Sequence, residues 1–191
     1  MCQQHTNLYA AFGLHPMFMA EHAAEHVAAL QQCLAERLED ARCCAVGEFG
    51  LDYWDKGADR AAQQQLFEAQ LQLAVEYQLP SLLHVRKAHA DVIATLKRYR
   101  PARGGIIHAF SGSPEQHAST TSSASNWAWA AQPPGHRQPA CAIDHCTVAR
   151  EQLLLETDSP GYGPRLPRPQ RNSPALLPQS ARSWQHCGAS Q

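Results

Sequence analysis

Four short apolar runs in this 191-residue chain each lead into an acid or a histidine, and amphipathic stretches separate the first three. The runs are Ala45-Val-Gly-Glu48, with Asp52 just beyond it, Ser81-Leu-Leu-His84, Gly105-Ile-Ile-His108 and Leu153-Leu-Leu-Glu-Thr-Asp158. An earlier buried run, Leu8 to Gly13, opens into Leu14-His15-Pro16. Between Ala20 and Glu39, Val27, Leu30, Leu34 and Leu38 recur at steps of three and four, which predicts a helix with one apolar face. Asp59 to Gln78 repeats the pattern with Leu66, Leu73 and Tyr77, flanked by Phe67, Leu71 and Ala74. Lys87 to Arg100 does so with Ala88, Val92, Leu96 and Tyr99. Pro80 ends the second of these helices, and Pro101 and Gly104-Gly105 end the third. Strand and helix in alternation imply parallel strands joined by right-handed crossovers, hence an α/β sheet or barrel. In such folds the chemistry gathers at the carboxyl ends of the strands. His15, Glu48, His84 and His108 all fall there.

The pattern lapses after Gln116. Residues 117–150 hold Ser/Thr clusters, Trp127, Trp129, Pro133-Pro134 and scattered cysteines, with no helical or strand periodicity. Order returns over 151–160, and residues 161–191 are rich in Pro, Arg, Gln and Ser, a composition predicting a disordered tail. The domain reading is therefore a β/α portion over 1–116, an irregular segment over 117–150, one further strand over 151–160 and the tail. Glu48 to His84 and His84 to His108 are each one β/α unit apart. His108 to Asp158 is close to two, so one strand and its helix are expected to be replaced by irregular chain. The short lead before Leu8 is read as missing elements upstream.

Composition excludes more than it assigns. A formal net charge of −1 gives no overall electrostatic footprint for nucleic acid, so a basic groove has to be local. Seven cysteines, an odd number without CxxC spacing, read as reduced thiols of a cytoplasmic protein. Cys141, His145 and Cys146 lie in sequence without a fold signal and are not read as a zinc site. The polar N-terminus carries no signal peptide, and no apolar run approaches the roughly 18 residues of a membrane span. No membrane association and no protein partner are expected.

A glutamate can bridge two divalent cations, imidazoles supply neutral nitrogen ligands, and an aspartate can hold a metal or take a proton from water. Two metals about 4 Å apart can activate water and stabilise the leaving oxygen of a phosphodiester.

Gly13-Leu-His-Pro16, Val46-Gly-Glu-Phe-Gly-Leu-Asp52, Leu83-His-Val-Arg86, Ile107-His-Ala-Phe-Ser-Gly112 and Leu155-Glu-Thr-Asp-Ser-Pro160 resemble, in order, the motifs of the TatD-like metal-dependent hydrolases. That family consists of (β/α)8 TIM-type barrels of the amidohydrolase-like superfamily, known as deoxyribonucleases. The resemblance covers Leu8 to Gln116 nearly continuously, and Glu151 to Pro160. It implies a metal-dependent hydrolase acting on phosphodiester bonds of DNA, with two divalent cations (Mg, Mn or Zn type) per site in the intact family. It makes Glu48 the bridging ligand, His84 and His108 ligands of one metal, and Asp158 a ligand of the other that aids the nucleophilic water. Glu48 and Asp158 are thus the catalytic pair. His15 and Arg86 take positions suited to substrate phosphate, although Arg86 is read equally well as pairing with a neighbouring carboxylate. Asp52, Ser111 and Gly112 are expected to shape loops, and His5, His22, His26 and His89 to be incidental.

The chain also departs from the family pattern. No His-x-His motif is present, although the family's first strand carries one for its first metal. The first two strands and the Gly-rich seventh are not recognisable, which leaves a partial barrel and ligands for a single cation. Family-like and foreign segments alternate, as two compensating frameshifts in the coding sequence would produce. The runner-up readings are amide or ester hydrolysis of the same superfamily, since barrel architecture does not choose the substrate, and a truncated remnant without activity.

Overall fold

The computed structural model describes residues 4–110, 115, 116, 118, 127–131, 152–160, 172–178, 181 and 182. Six parallel strands lie in chain order: β1 (Ala10–Phe12), β2 (Cys43–Asp52), β3 (Ser81–Arg86), β4 (Gly105–His108), β5 (Trp127–Ala131) and β6 (Leu153–Leu155). Helices α1 (Glu25–Ala35), α2 (Arg60–Glu76) and α3 (His89–Tyr99) connect the first four, and a 3-10 helix over Pro16–Glu21 precedes α1. Sequential parallel order with intervening helices is the arrangement of a β/α barrel segment. None of the described helices is long and apolar enough to cross a membrane.

The helical stripes predicted from spacing are the faces that pack, except that α1 ends at Ala35 and leaves Leu38, expected on its stripe, 50% exposed. Leu30 and Leu34 of α1, Phe67, Leu71 and Ala74 of α2, and Val92 and Leu96 of α3 are buried. They join Val46, Phe49, Leu51, Leu83, Val85 and Ile107 of the sheet in one core. Phe49 and Phe67 meet with ring centroids 5.7 Å apart. Asp59 caps α2, its carboxylate accepting from the Ala62 N–H at 3.0 Å. Lys97 and Arg98 occupy the last turn of α3, where the helix dipole favours cations.

Two corrections concern the segments beyond Gln116. The stretch read as lacking a strand holds β5, which pairs with β4 (Gly105↔Trp127, Ile107↔Trp129) and with β6 (Trp129↔Leu153). Trp127 is 2 % exposed and is among the largest fully buried side chains. Trp-Ala-Trp-Ala-Ala does alternate, but alanine contributes so little apolar area that its period is hard to see. The expected gap at the seventh strand is therefore filled. Within the stretch read as a tail unable to pack, Ser173 caps a 3-10 turn over Pro174–Leu176. Asn172 beside it is buried, and its Nδ2 donates to the Thr157 carbonyl. Ser111, Gly112, His117, Cys141, His145 and Cys146 lie outside the described residues.

Candidate metal centre

Register brings the sequence-predicted residues to one end of the sheet. His84 and His108 are direct partners across β3 and β4, and Gly50 and Asp52 of β2 pair with His84 and Arg86. Between Gly47 and Phe49 the β2–β3 register shifts, because Gly47 faces Leu82 and Phe49 already faces Leu83. Glu48 is the extra residue. A bulge of this kind re-aims one side chain out of the alternation, and here it turns Glu48 toward His15 and His84. Close backbone approach permits the bulge: a Cβ on Gly47 would lie 2.5 Å from Leu82 Cβ.

The resulting cluster has two adjoining halves. In the first, Glu48 Oε1 lies 3.4 Å from His15 Nε2 and 3.1 Å from His84 Nδ1. One ligand atom from each of His15, Glu48 and His84 lies within 4.8 Å of the others. Two imidazole nitrogens and a carboxylate oxygen suit a divalent cation of manganese, iron or zinc type, so this donor set fits a metal. His84 Nε2 is held 3.0 Å from Asp52 Oδ2, which leaves its other nitrogen on the Glu48 side. An outer carboxylate of this sort orients a ligand imidazole. In the second half, His108 Nδ1 lies 2.5 Å from Glu156 Oε2, and its Nε2 lies 3.7 Å from Asp158 Oδ1. Glu156 Oε1 also accepts from the Ala109 N–H at 3.0 Å. The His84 and His108 rings stack with centroids 6.4 Å apart, so the halves touch. Lys87, Ala109 and Asp158, all beside the cluster, have φ of 55°, 44° and 50°. Non-glycine residues seldom adopt that conformation, and it gathers at functional sites.

Burial opposes charge on Glu48, but hydrogen bonds from His15 and His84 and the nearby His108 prevail and hold its carboxyl well below the usual range. Asp52 is lowered too: burial opposes this, and the bonds from His84 and the Trp54 N–H outweigh it. His84 is raised because Asp52 and Glu48 overcome burial. Burial would lower His108, yet the Glu156 hydrogen bond and charge, with Glu48 and Asp158 behind it, raise it to about 9. Asp158 is raised, chiefly by burial and against the charge of His108.

A raised His108 stabilises the fold below its unfolded pKa and stops doing so as pH climbs through its folded value. Metal-free protein is therefore expected to lose urea resistance between about pH 6.5 and pH 9, and Glu156→Gln is expected to flatten that loss. Equal pH slopes for the two proteins in urea titrations would refute the pairing.

The structure groups the residues differently from the sequence expectation. His15, read as a phosphate contact, joins Glu48 and His84 in the three-ligand group, while His108 and Asp158 form the neighbouring pair. Arg86 lies 3.9 Å from Asp52, the neighbouring-carboxylate alternative, and its guanidinium is 4.1 Å from the centre of the Trp54 ring. Asp52 does brace the following loop, accepting from the Trp54 N–H at 2.9 Å, but it also holds His84. His22, read as incidental, lies with Nε2 2.9 Å from the His15 carbonyl.

Three supporting residues were missed. Glu156 stood inside a quoted motif two positions before Asp158 and received no role. Gln63 and Gln70 are buried in α2, and each makes two hydrogen bonds to the backbone of one residue at a strand end. The Gln63 amide accepts from the Asp52 N–H (2.8 Å) and donates to its carbonyl (3.0 Å). Gln70 does the same to Leu14 (2.7 and 3.0 Å), next to His15. Their signal was two glutamines on the face of α2 that carries its apolar stripe.

The TatD related DNase family model matches residues 1–187. An uncharacterized metal-dependent hydrolase of Escherichia coli K12, YjjV, is 40% identical over 116 residues, covering 61% of this chain and 44% of its own length. The 3'-5' ssDNA/RNA exonuclease TatD of Erwinia amylovora is 32% identical over 187 residues, covering 93% of this chain and 70% of its own length. The crystal structure of the Escherichia coli YjjV TatD homologue superposes with a TM-score of 0.86 at 32% identity, covering 95% of this chain and 70% of that one. The sequence match thus spans less than half the length of the Escherichia coli relative and about two thirds of the Erwinia one. Taken with the strand-end cluster, these matches show that the chain belongs to the TatD related DNase family.

Proposed function

We propose that this chain is a metal-dependent hydrolase of phosphodiester bonds, acting on single-stranded DNA or RNA. The observation that carries the reading is the convergence of His15, Glu48 and His84 within ligand distance beside His108 and Asp158. The printed activity of the Erwinia relative, a 3'-5' ssDNA/RNA exonuclease, supports the substrate class. The cysteines among the described residues, Cys33, Cys43 and Cys44, are free thiols, which fits a reducing cytoplasm.

His15, Glu48 and His84 are the residues that would hold a cation, and their nitrogen-rich set favours zinc or manganese over magnesium. When bound, such a cation polarises a phosphoryl oxygen and lowers the pKa of water. The residues around it have separable tasks. Asp52 keeps His84 turned toward Glu48. Asp158, raised by burial, accepts a proton at Oδ1 more readily near neutrality than an ordinary aspartate. His108, tied to Glu156, keeps Nε2 beside that oxygen.

Purified protein with a 3′-labelled single-stranded oligonucleotide is expected to release mononucleotides with added Mn²⁺ or Zn²⁺ and to stop in EDTA. His84→Ala is expected to lower the rate by about 100-fold or more. Absence of cleavage with every divalent cation, or an unaffected His84→Ala, would defeat the reading.

A further inference from the structure

Trp54 follows β2 immediately beyond Asp52-Tyr53 and is 57 % exposed, whereas Trp127 is buried. Two cations converge on its ring. The Arg86 guanidinium carbon is 4.1 Å and the Lys87 ammonium 4.4 Å from its centroid. The loops that carry them are tied together, since the Tyr53 N–H donates to the Arg86 carbonyl at 2.8 Å. Lys87 is exposed and has a left-handed φ of 55°, which turns the chain at the end of β3. The group is bonded to the metal centre through Asp52, whose Oδ1 accepts from the Trp54 N–H while its Oδ2 faces His84.

This is an uneven charge arrangement. Two positive side chains share one ring, where the electron-rich face attracts each of them. The nearest carboxylate, Asp52, is 3.9 Å from Arg86 and already occupied by His84. Lys87 has no carboxylate partner among the described residues. In a chain of net charge −1 this is a local basic rim, set one residue beyond the strand end that presents His84.

We infer that Trp54, Arg86 and Lys87 form a subsite for the phosphodiester backbone of a single strand, holding a phosphate next to the one presented to the metal centre. Trp54 is a positioning residue that keeps both cations on one side of the mouth. Lys87 and Arg86 contact phosphate oxygens without reading base identity, as backbone contacts do. The inference rests on the phosphodiesterase reading above, and it assigns Trp54 and Lys87 a task that the metal centre does not require.

The test compares a chain-length substrate with a minimal one. Mn²⁺-loaded protein is assayed on a single-stranded oligonucleotide and on bis(p-nitrophenyl) phosphate, which has no neighbouring phosphate. Lys87→Ala and Trp54→Ala are expected to lower the kcat/KM ratio of oligonucleotide to small diester on the order of tenfold, through KM. Lys87→Arg and Trp54→Phe are expected to restore it. In EDTA, Lys87→Ala is also expected to make the log–log salt dependence of oligonucleotide binding shallower by about 0.7, one phosphate contact on a single strand. If the variants lose both substrates equally, or keep the wild-type ratio and salt slope, the subsite is refuted while the phosphodiesterase reading stands. If the wild type cleaves neither substrate with any cation, that reading fails instead.

Discussion

Replacing Glu48 by alanine is expected to abolish metal-dependent cleavage and to weaken Mn²⁺ binding on the order of 100-fold or more. Among the described residues no other carboxylate pairs with both imidazoles of the three-ligand group, with His15 Nε2 at 3.4 Å and His84 Nδ1 at 3.1 Å from one oxygen. Its carboxyl is held well below the usual range, so it stays ionised through the whole neutral interval. Alanine removes that charge and leaves two nitrogens with no anionic partner between them. The fold should tolerate the change, because the Glu48 side chain is 26% exposed and sits on a bulge outside the apolar alternation. Circular dichroism and urea titration would show a native-like protein, and calorimetry the lost metal affinity. Wild-type metal affinity in a folded Glu48→Ala protein would remove Glu48 from the ligand set.

Gly50→Ala is expected to produce a large loss of stability, about 3 kcal/mol or more against a total of roughly 5–15 kcal/mol. At φ 149° the added Cβ projects at the neighbouring strand and would lie 2.0 Å from the His84 carbonyl oxygen. No side-chain rotation relieves the clash, since both partners are backbone. β2 and β3 would have to part at the pair Gly50↔His84, in the middle of their longest register and beside the metal centre. Urea midpoints measure the effect. Gly57→Ala is the internal control, because its Cβ would meet only Asp55 Oδ1 at 3.5 Å, and a change within about 0.5 kcal/mol is expected there. Similar midpoints for Gly50→Ala and Gly57→Ala would mean that the strands do not approach so closely.

Much of the scaffold was legible because its signals are local. The stripe of Val92 and Leu96 in α3, or of Phe67 and Leu71 in α2, repeats at helical spacing within a few turns, and each stripe is the buried face. The second and third β/α intervals end in a proline or glycine, so β3 and β4 could be placed and with them His84 and His108. β2 was read too short, over Ala45–Glu48, although it spans Cys43–Asp52. Its glycines look like turn residues in sequence, but here they allow close strand packing. β5 was lost for the opposite reason: two tryptophans spaced by alanines carry too weak an alternation to register, and only pairing on both sides reveals the strand.

Sequence by itself determined the order of the first four strands and their helices, the parallel β/α architecture and the end of the sheet where the acids and histidines collect. Those follow from periodicities of two and of three to four residues and from chain breakers, all properties of adjacent positions. Tertiary structure alone decided which of those side chains meet. The bulge that turns Glu48 toward His15, the Asp52 carboxylate on His84 and the Glu156 carboxylate on His108 depend on register between distant segments. A shift of one residue would send each of those side chains to the opposite face. Only packing selects the register. The family resemblance therefore named side chains that meet at one end of the sheet, while their grouping into His15–Glu48–His84 and His108–Glu156–Asp158 came from the fold.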